Sequence, residues 1–160
     1  MKNTFTATEK ITASGVVMAL YIAVMLATQN FAFGQYQIRI ATSLYALSAV
    51  FPFLVVPLAL ANFLSNVLMG GLGVLDMAGG LLVGLATGMA VLWGARTRWS
   101  GAATALAITL IPGLGVPVWL SVILNVPYSI LAVSLVIGQI IPGLCGALLA
   151  AAVKERLDRQ

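Results

Sequence analysis

Apolar runs broken by short polar, glycine or proline interruptions make up almost the whole chain, and their lengths predict its elements. A helix that crosses a bilayer needs about 20 apolar residues. The first run extends from Ile11 to about Asn30 (11–30). The second, 39–51, is too short for a perpendicular crossing and stops at Pro52, which predicts a short or tilted helix packed inside a bundle. The third, 52–69, ends at Gly70-Gly71-Leu72-Gly73. The fourth, 75–95, starts around Asp76 and is closed by Arg96 and Arg98. The fifth, 100–124, contains Pro112, Gly113, Gly115 and Pro117. A proline there removes a backbone donor and crowds the preceding turn, which predicts a kink or partial break. The sixth, 127–153, begins on Pro127, a tolerated first-turn proline, and carries a second expected kink at Pro142-Gly143. Lys154–Gln160 reads as a charged tail. The expected fold class is an all-α integral membrane protein, a six-helix bundle forming a single domain over 1–160, with no internal repeat or linker.

Composition agrees with that pattern. Residues are 61% hydrophobic and 8% charged, whereas a soluble domain is roughly a quarter charged. Mean hydropathy is +1.08. The basic residues set an orientation. With the N-terminus inside, Lys2, Lys10, Arg96, Arg98, Lys154, Arg156 and Arg159 all fall on the cytoplasmic side of six spans and Arg39 alone falls outside. The positive-inside rule therefore favours both termini in the cytoplasm. Omitting the short second segment would put Arg96, Arg98 and the C-terminal cluster on the wrong side. The pI of about 9.7 follows from these lysines and arginines at span ends and implies lipid, not nucleic acid, as the partner. The polar residues from Met1 to Glu9 are followed by no short apolar region with a small-residue cleavage site, so a cleaved signal peptide is not expected.

Few residues could carry chemistry. There is no histidine, hence no ordinary general base or near-neutral proton switch, and the one cysteine, Cys145, allows no intrachain disulfide. No Walker loop and no H-E-x-x-H motif occur, so neither ATP hydrolysis by this chain nor metal-assisted catalysis is expected, and no cofactor or metal is implied. Glu9, Asp76, Glu155 and Asp158 are the acids, and only Asp76 lies away from the termini. It can serve the helix dipole at the start of the fourth segment, accept a ligand, or do both. Gln35, Tyr36, Gln37 and Arg39 form a polar stretch between two apolar segments, either a solvated loop or one wall of a site. Arg39 and Asp76 could also simply pair with each other. Asn62 and Asn66, four apart, share a helix face, and Gln139 lies mid-span; each needs a partner, which a neighbouring helix or a substrate could provide. Trp93 and Trp99 fit an interfacial belt. Trp119 and Tyr128 fit either a belt or a stacking platform for a planar ligand. Gly15, Ala19, Ala23 and Ala27 draw a ridge of small residues along the first segment, and Gly79, Gly80, Gly84 and Gly88 do so along the fourth. Such ridges let helices approach closely.

The order of these features carries a resemblance: the small-residue ridge, then F-G-x-x-Q-x-R-I from Phe33 to Ile40, A-N-F-L-S-N from Ala61 to Asn66, and G-L-G-V-L-D from Gly71 to Asp76 before a glycine-rich helix. Together they resemble the QueT family, the substrate-binding S components of energy-coupling factor (ECF) transporters assigned to queuosine precursors. The resemblance covers essentially the whole chain and is most specific from Phe33 to Gly80. It implies a multi-pass protein of the cell membrane that captures a small planar molecule and works with a transmembrane coupling protein and two ATPase subunits. In S components an A-x-x-x-A ridge on the first helix docks on the coupling protein, and here Ala19 and Ala23 match it, extended by Gly15 and Ala27. Two departures bear on the ligand. The family pattern R-[IV]-S-E-A-L is met by Arg39-Ile40-Ala41-Thr42-Ser43-Leu44, without the glutamate, and a G-E pair near the last helix is met by Gly138-Gln139. Loss of both carboxylates removes acceptors for an aminomethyl cation and favours a cyano or otherwise neutral deazaguanine.

The expected site therefore combines Asp76 as acceptor for a guanine-like edge, Gln35, Gln37, Arg39, Asn62, Asn66 and Gln139 around the other polar atoms, and Tyr36, Trp119 or Tyr128 against the ring, with 31–37 as a gate. The alternatives are an S component for another planar heterocycle or an aromatic such as tryptophan, a stand-alone small oligomeric transporter, and a scaffold subunit that binds no ligand.

Overall fold

Helix ends follow from local chemistry that the apolar runs alone do not show. The computed structural model describes residues 5–32, 36–69 and 72–159. Helix α1 covers Ala7–Ala27 and starts four residues before the apolar run, because Thr6 and Glu9 form a capping box. The Glu9 amide donates to Thr6 Oγ1 at 3.3 Å and the Thr6 amide donates to Glu9 Oε2 at 2.7 Å. Such a cap is worth about 1 kcal/mol. Thr28 ends the helix by donating its hydroxyl to the Val24 carbonyl at 2.7 Å, and a single turn, α2 (Gln29–Ala32), follows.

The second segment is helical but not α-helical. Ile40–Ala49 is a 3-10 helix of 10 residues, long for a type usually limited to three or four. At about 2 Å per residue it reaches roughly 20 Å, against roughly 15 Å for an α-helix of the same length. This tighter winding explains how so short a segment fills the bundle interior, where Ala41, Thr42, Leu44, Tyr45, Ala46 and Ser48 are all buried.

The third segment divides into a 3-10 turn, Pro52–Leu54, and α3, Val55–Leu68. Helix α4 (Val74–Gly94) runs without a break. In the fifth segment α5 (Ser100–Gly115) carries Pro112 inside it and α6 (Pro117–Leu124) begins on the next proline, but the junction residue Val116 keeps helical dihedrals, φ −58° and ψ −41°, so the two follow on as one span. Helix α7 (Tyr128–Asp158) runs unbroken through Pro142 and continues past Val153, so the expected charged tail is its last turns. Glu155 and Arg159 bond one turn apart there.

Four of these elements are long and apolar enough to cross a membrane: Ala7–Ala27, Val74–Gly94, Ser100–Leu124 and Tyr128–Asp158. Two shorter apolar helices, Ile40–Ala49 and Pro52–Leu68, accompany them. Helix α7 lies along α5 and the 3-10 helix, α3 along α4, and α1 along α3. The main core joins Tyr21 and Met25 of α1 to Leu44, Tyr45, Leu54, Leu58, Val91 and Ile108. Polarity is arranged inside out for a protein in water. Ile11, Leu20, Leu82, Met89, Ile137 and Leu148 are exposed, while Arg39, Asn62, Asn66, Asp76 and Gln139 are buried. That arrangement suits lipid, which solvates apolar side chains and leaves polar ones to find partners within the protein.

The glycine face of α4 is a set of close approaches. A side chain at Gly79 would strike the Trp119 ring, at Gly80 the Asn66 amide, and at Gly84 the Tyr45 hydroxyl. The face therefore serves packing within the bundle.

Candidate substrate-binding site

Arg39, Thr42, Tyr45 and Ser48 recur every three residues and are all buried. In a 3-10 helix, residues three apart eclipse one another, so this spacing stacks a polar line along one side of Ile40–Ala49. An α-helical reading of the segment scatters these positions, and this is why only Arg39 stood out from the sequence. The period of three was the available signal for Thr42 and Tyr45.

The polar line meets three other elements. Arg39 Nη1 donates to Asn62 Oδ1 at 3.2 Å, and Asn62 Nδ2 donates to the Gly80 carbonyl at 2.9 Å. Thr42 Oγ1 lies 2.7 Å from the Arg39 carbonyl and 2.9 Å from Gln139 Oε1. Gln139 Nε2 donates in turn to the Gln37 carbonyl at 3.1 Å. Thr42 and Gln139, the two positions where the chain departs from the resembled glutamate pattern, thus touch each other. Gln139 spans the loop and the 3-10 helix through one amide. Its neighbour Gly138 makes this possible, because the Tyr36 backbone lies directly against the Gly138 backbone. Gln37 takes a left-handed conformation, φ 43°, a setting uncommon for a residue with a side chain. Gly138 is ten residues beyond the start of α7 at Tyr128, roughly 15 Å along its axis. The loop ahead of the 3-10 helix therefore dips well into the bundle, and Arg39 is an interior residue, not a residue of the outer surface.

Gln37, Arg39, Thr42, Tyr45, Asn62 and Gln139 enclose a cavity of about 10 Å³ with Val83, Val116 and Leu135 among its apolar walls. That is the room one water needs. A bicyclic heterocycle enters such a site only if its walls move.

A second polar cluster lies one turn away. Asp76 is 3% exposed. Its Oδ1 accepts from Trp119 Nε1 at 3.0 Å and its Oδ2 from the Leu72 amide at 3.3 Å. Gly73, with φ 101° and ψ −174°, is the N-cap residue of α4 and holds a conformation open essentially to glycine alone. This turn aims the Leu72 N–H, which lies outside the helix, back at the carboxylate, so Asp76 pins the turn before α4 and sits in the helix's first turn, where the dipole favours an acid. Asn66 Nδ2 reaches the Asp76 carbonyl at 3.5 Å, while Asn66 Oδ1 is buried with no partner among the described residues. Asn62 and Asn66 on α3, and Gly80 and Asp76 on α4, are each four residues apart, so the two clusters are separated by roughly 6 Å.

The structure thus brings Arg39, Gln37, Asn62 and Gln139 around one cavity and sets Asp76, Asn66 and Trp119 beside it. Two expected stacking residues lie elsewhere. The Tyr128 side chain is 44% exposed and its hydroxyl donates to the Leu114 carbonyl at 3.0 Å, so it braces α7 against the end of α5. Tyr36 is 49% exposed and contributes its backbone to the Gly138 contact. Neither lines the cavity. Gln35 lies outside the described residues, as does much of the expected gate. Among the described residues no three His, Cys, Asp or Glu side chains group to hold a metal.

On the far side of the bundle, Gly15, Ala19, Ala23 and Ala27 are all exposed, and a methyl at Gly15 would meet nothing within 4 Å. The small-residue ridge faces outward and not into the bundle. Trp93 and Trp99 are also exposed, with the Arg98 guanidinium 5.9 Å from the Trp99 ring centroid.

Comparison with curated proteins and with solved structures found no match. Comparison with protein families matched residues 11–155 to the one described as QueT transporter. With nearly its whole length matched, and apolar helices long enough to span a bilayer, the chain belongs to the QueT transporter family, a family of membrane transporters and not of enzymes.

Proposed function

We propose that the protein is the substrate-binding S component of an ECF-type importer and captures a 7-deazaguanine precursor of queuosine from outside the cell. The observation that carries this reading is the convergence of Arg39, Thr42, Asn62 and Gln139, from separate elements, on one enclosed cavity, with the buried Asp76 carboxylate one turn away. Buried polar groups in a lipid-solvated bundle are expensive, and at this density they mark a pathway or a site. A bicyclic base is long enough to bridge both clusters. Its N1–H and exocyclic amine suit the Asp76 carboxylate in a two-bond contact. Its carbonyl, and a nitrile where present, suit the donors of Arg39. Thr42 and Gln139 are uncharged, and this favours a cyano or otherwise neutral deazaguanine over the aminomethyl cation.

In this reading the chain is a single domain of six membrane segments with both termini in the cytoplasm, following the distribution of lysine and arginine. The outward ridge Gly15, Ala19, Ala23 and Ala27 docks on the transmembrane coupling protein, and two ATPase subunits supply the energy that a chain without a Walker loop cannot.

The test is thermal unfolding of the detergent-purified protein against deazaguanines, guanine and tryptophan. A ligand at a hundredfold excess over Kd stabilises by about 2.7 kcal/mol. A shift with a neutral deazaguanine is expected, and a flat panel in a folded sample rejects the substrate. One observation favours a second reading. Asp76 already accepts an indole N–H, that of Trp119, so an indole ligand such as tryptophan fits the same carboxylate. A shift with tryptophan alone would select it.

A further inference from the structure

Trp119 occupies the acceptor that a substrate needs. Its indole N–H donates to Asp76 Oδ1 at 3.0 Å, and the other carboxylate oxygen is held by the Leu72 amide. The ring is seated on α4 at Gly79, three residues beyond Asp76: a methyl there would fall 2.7 Å from Trp119 Cε2 and Cζ2. The α6 helix that carries Trp119 is short, 8 residues, and packs through Leu120, with Val116 at its N-cap, on Leu135 of α7, Trp119 itself lying against this cluster. Asn66 Oδ1, buried and unpartnered among the described residues, lies on the same side.

We infer that Trp119 is an intramolecular stand-in for the substrate: its indole N–H occupies Asp76 until the N–H edge of a ligand replaces it. This inference rests on the reading of Asp76 as substrate acceptor. Three features of the site support it. Indole N–H and the N–H of a lactam or pyrrole edge are the same kind of donor, so one carboxylate geometry serves both. The ring is only half-buried: it sits on Gly79 and against the small Val116, Leu120 and Leu135 cluster, apart from the main core, so it can leave without unpacking that core. The adjoining cavity is too small for a heterocycle, so some wall must move, and the ring at Asp76 is a wall whose removal also frees the acceptor. Trp119 is then a positioning residue that keeps a buried carboxylate satisfied and sets a threshold for ligands: those with a weaker donor edge than indole do not displace it.

The experiment measures binding of 7-deazaguanine to the full-length protein in detergent for the natural sequence, Trp119→Phe, Gly79→Ala and Asp76→Ala. Loss of a hydrogen bond to a charged group in the ligand-free protein should tighten binding about tenfold to a hundredfold in Trp119→Phe. Gly79→Ala keeps the indole but removes its seat, and should tighten binding in the same direction; it decides the matter if Trp119→Phe does not fold. In a Trp93→Phe/Trp99→Phe background the one remaining isotope-labelled indole proton should move upfield as ligand is added, as it leaves the carboxylate. Weaker or unchanged binding in both Trp119→Phe and Gly79→Ala, with an indole proton that keeps its position, would overturn the inference and make Trp119 a permanent wall. Natural affinity in Asp76→Ala would instead overturn the acceptor reading, and the stand-in with it.

Discussion

The Tyr36 carbonyl oxygen lies so close to Gly138 that a methyl added there would sit 1.8 Å from it. The two backbones touch, and no side-chain adjustment can relieve the contact. Gly138→Ala is therefore expected to push the loop off α7 and break the Gln139–Gln37 hydrogen bond. The expected loss is about 1–3 kcal/mol of stability, read from thermal unfolding in detergent, together with weaker deazaguanine binding. Natural stability in this variant would show that the loop does not need its seat.

Gln139→Glu should change selectivity. A carboxylate at this position stands beside Thr42 and the Gln37 carbonyl, where an aminomethyl cation would be attracted and a nitrile would not. The ratio of affinities for the aminomethyl and cyano deazaguanines should move toward the aminomethyl form by about tenfold, the size of one charge-assisted hydrogen bond. An unchanged ratio in competition titrations would separate Gln139 from the ligand.

Asn62 joins Arg39 to the α4 backbone through bonds of 3.2 and 2.9 Å. Asn62→Ala removes both, one of them to a buried charge. It should destabilise the protein by about 2–3 kcal/mol and weaken binding, both measurable in one ligand-dependent melt.

The ridge on α1 gives the opposite signature. Ala19→Leu and Ala23→Leu add bulk to an exposed face, so folding and ligand binding should be unchanged while co-purification with the coupling protein is lost. A variant that still assembles and transports would remove α1 from the interface.

Much of this architecture was legible as apolar run length. Segments 52–69, 75–95 and 100–124 match elements of the structure within a few residues, because in lipid every backbone group must be satisfied internally and helices are the economical answer. The differences arise where local chemistry overrides run length. Thr6-Ala7-Thr8-Glu9 is a capping-box signature that an apolar count passes over. The residues after Val153 look like a tail by charge, yet nothing in them stops α7 before Asp158. The site was half legible. Arg39, Asp76, Asn62 and Gln139 stood out because polar side chains are rare in this chain. Thr42 and Tyr45 did not, because their period of three has meaning only once the segment winds as a 3-10 helix. Tyr36 and Tyr128, expected against a ligand ring, do not line the cavity, because an aromatic position in the sequence does not say which way its side chain faces.

Asp76 is the proposed acceptor of the substrate. The most direct test of that role is calorimetric titration of 7-cyano-7-deazaguanine into the natural protein and into Asp76→Ala in the same detergent. Measurable binding by the natural protein, weakened at least about a hundredfold in a folded Asp76→Ala variant, is the predicted result, since truncating one partner of a buried charged contact costs about 2–5 kcal/mol. Equal affinity in the two proteins would contradict it.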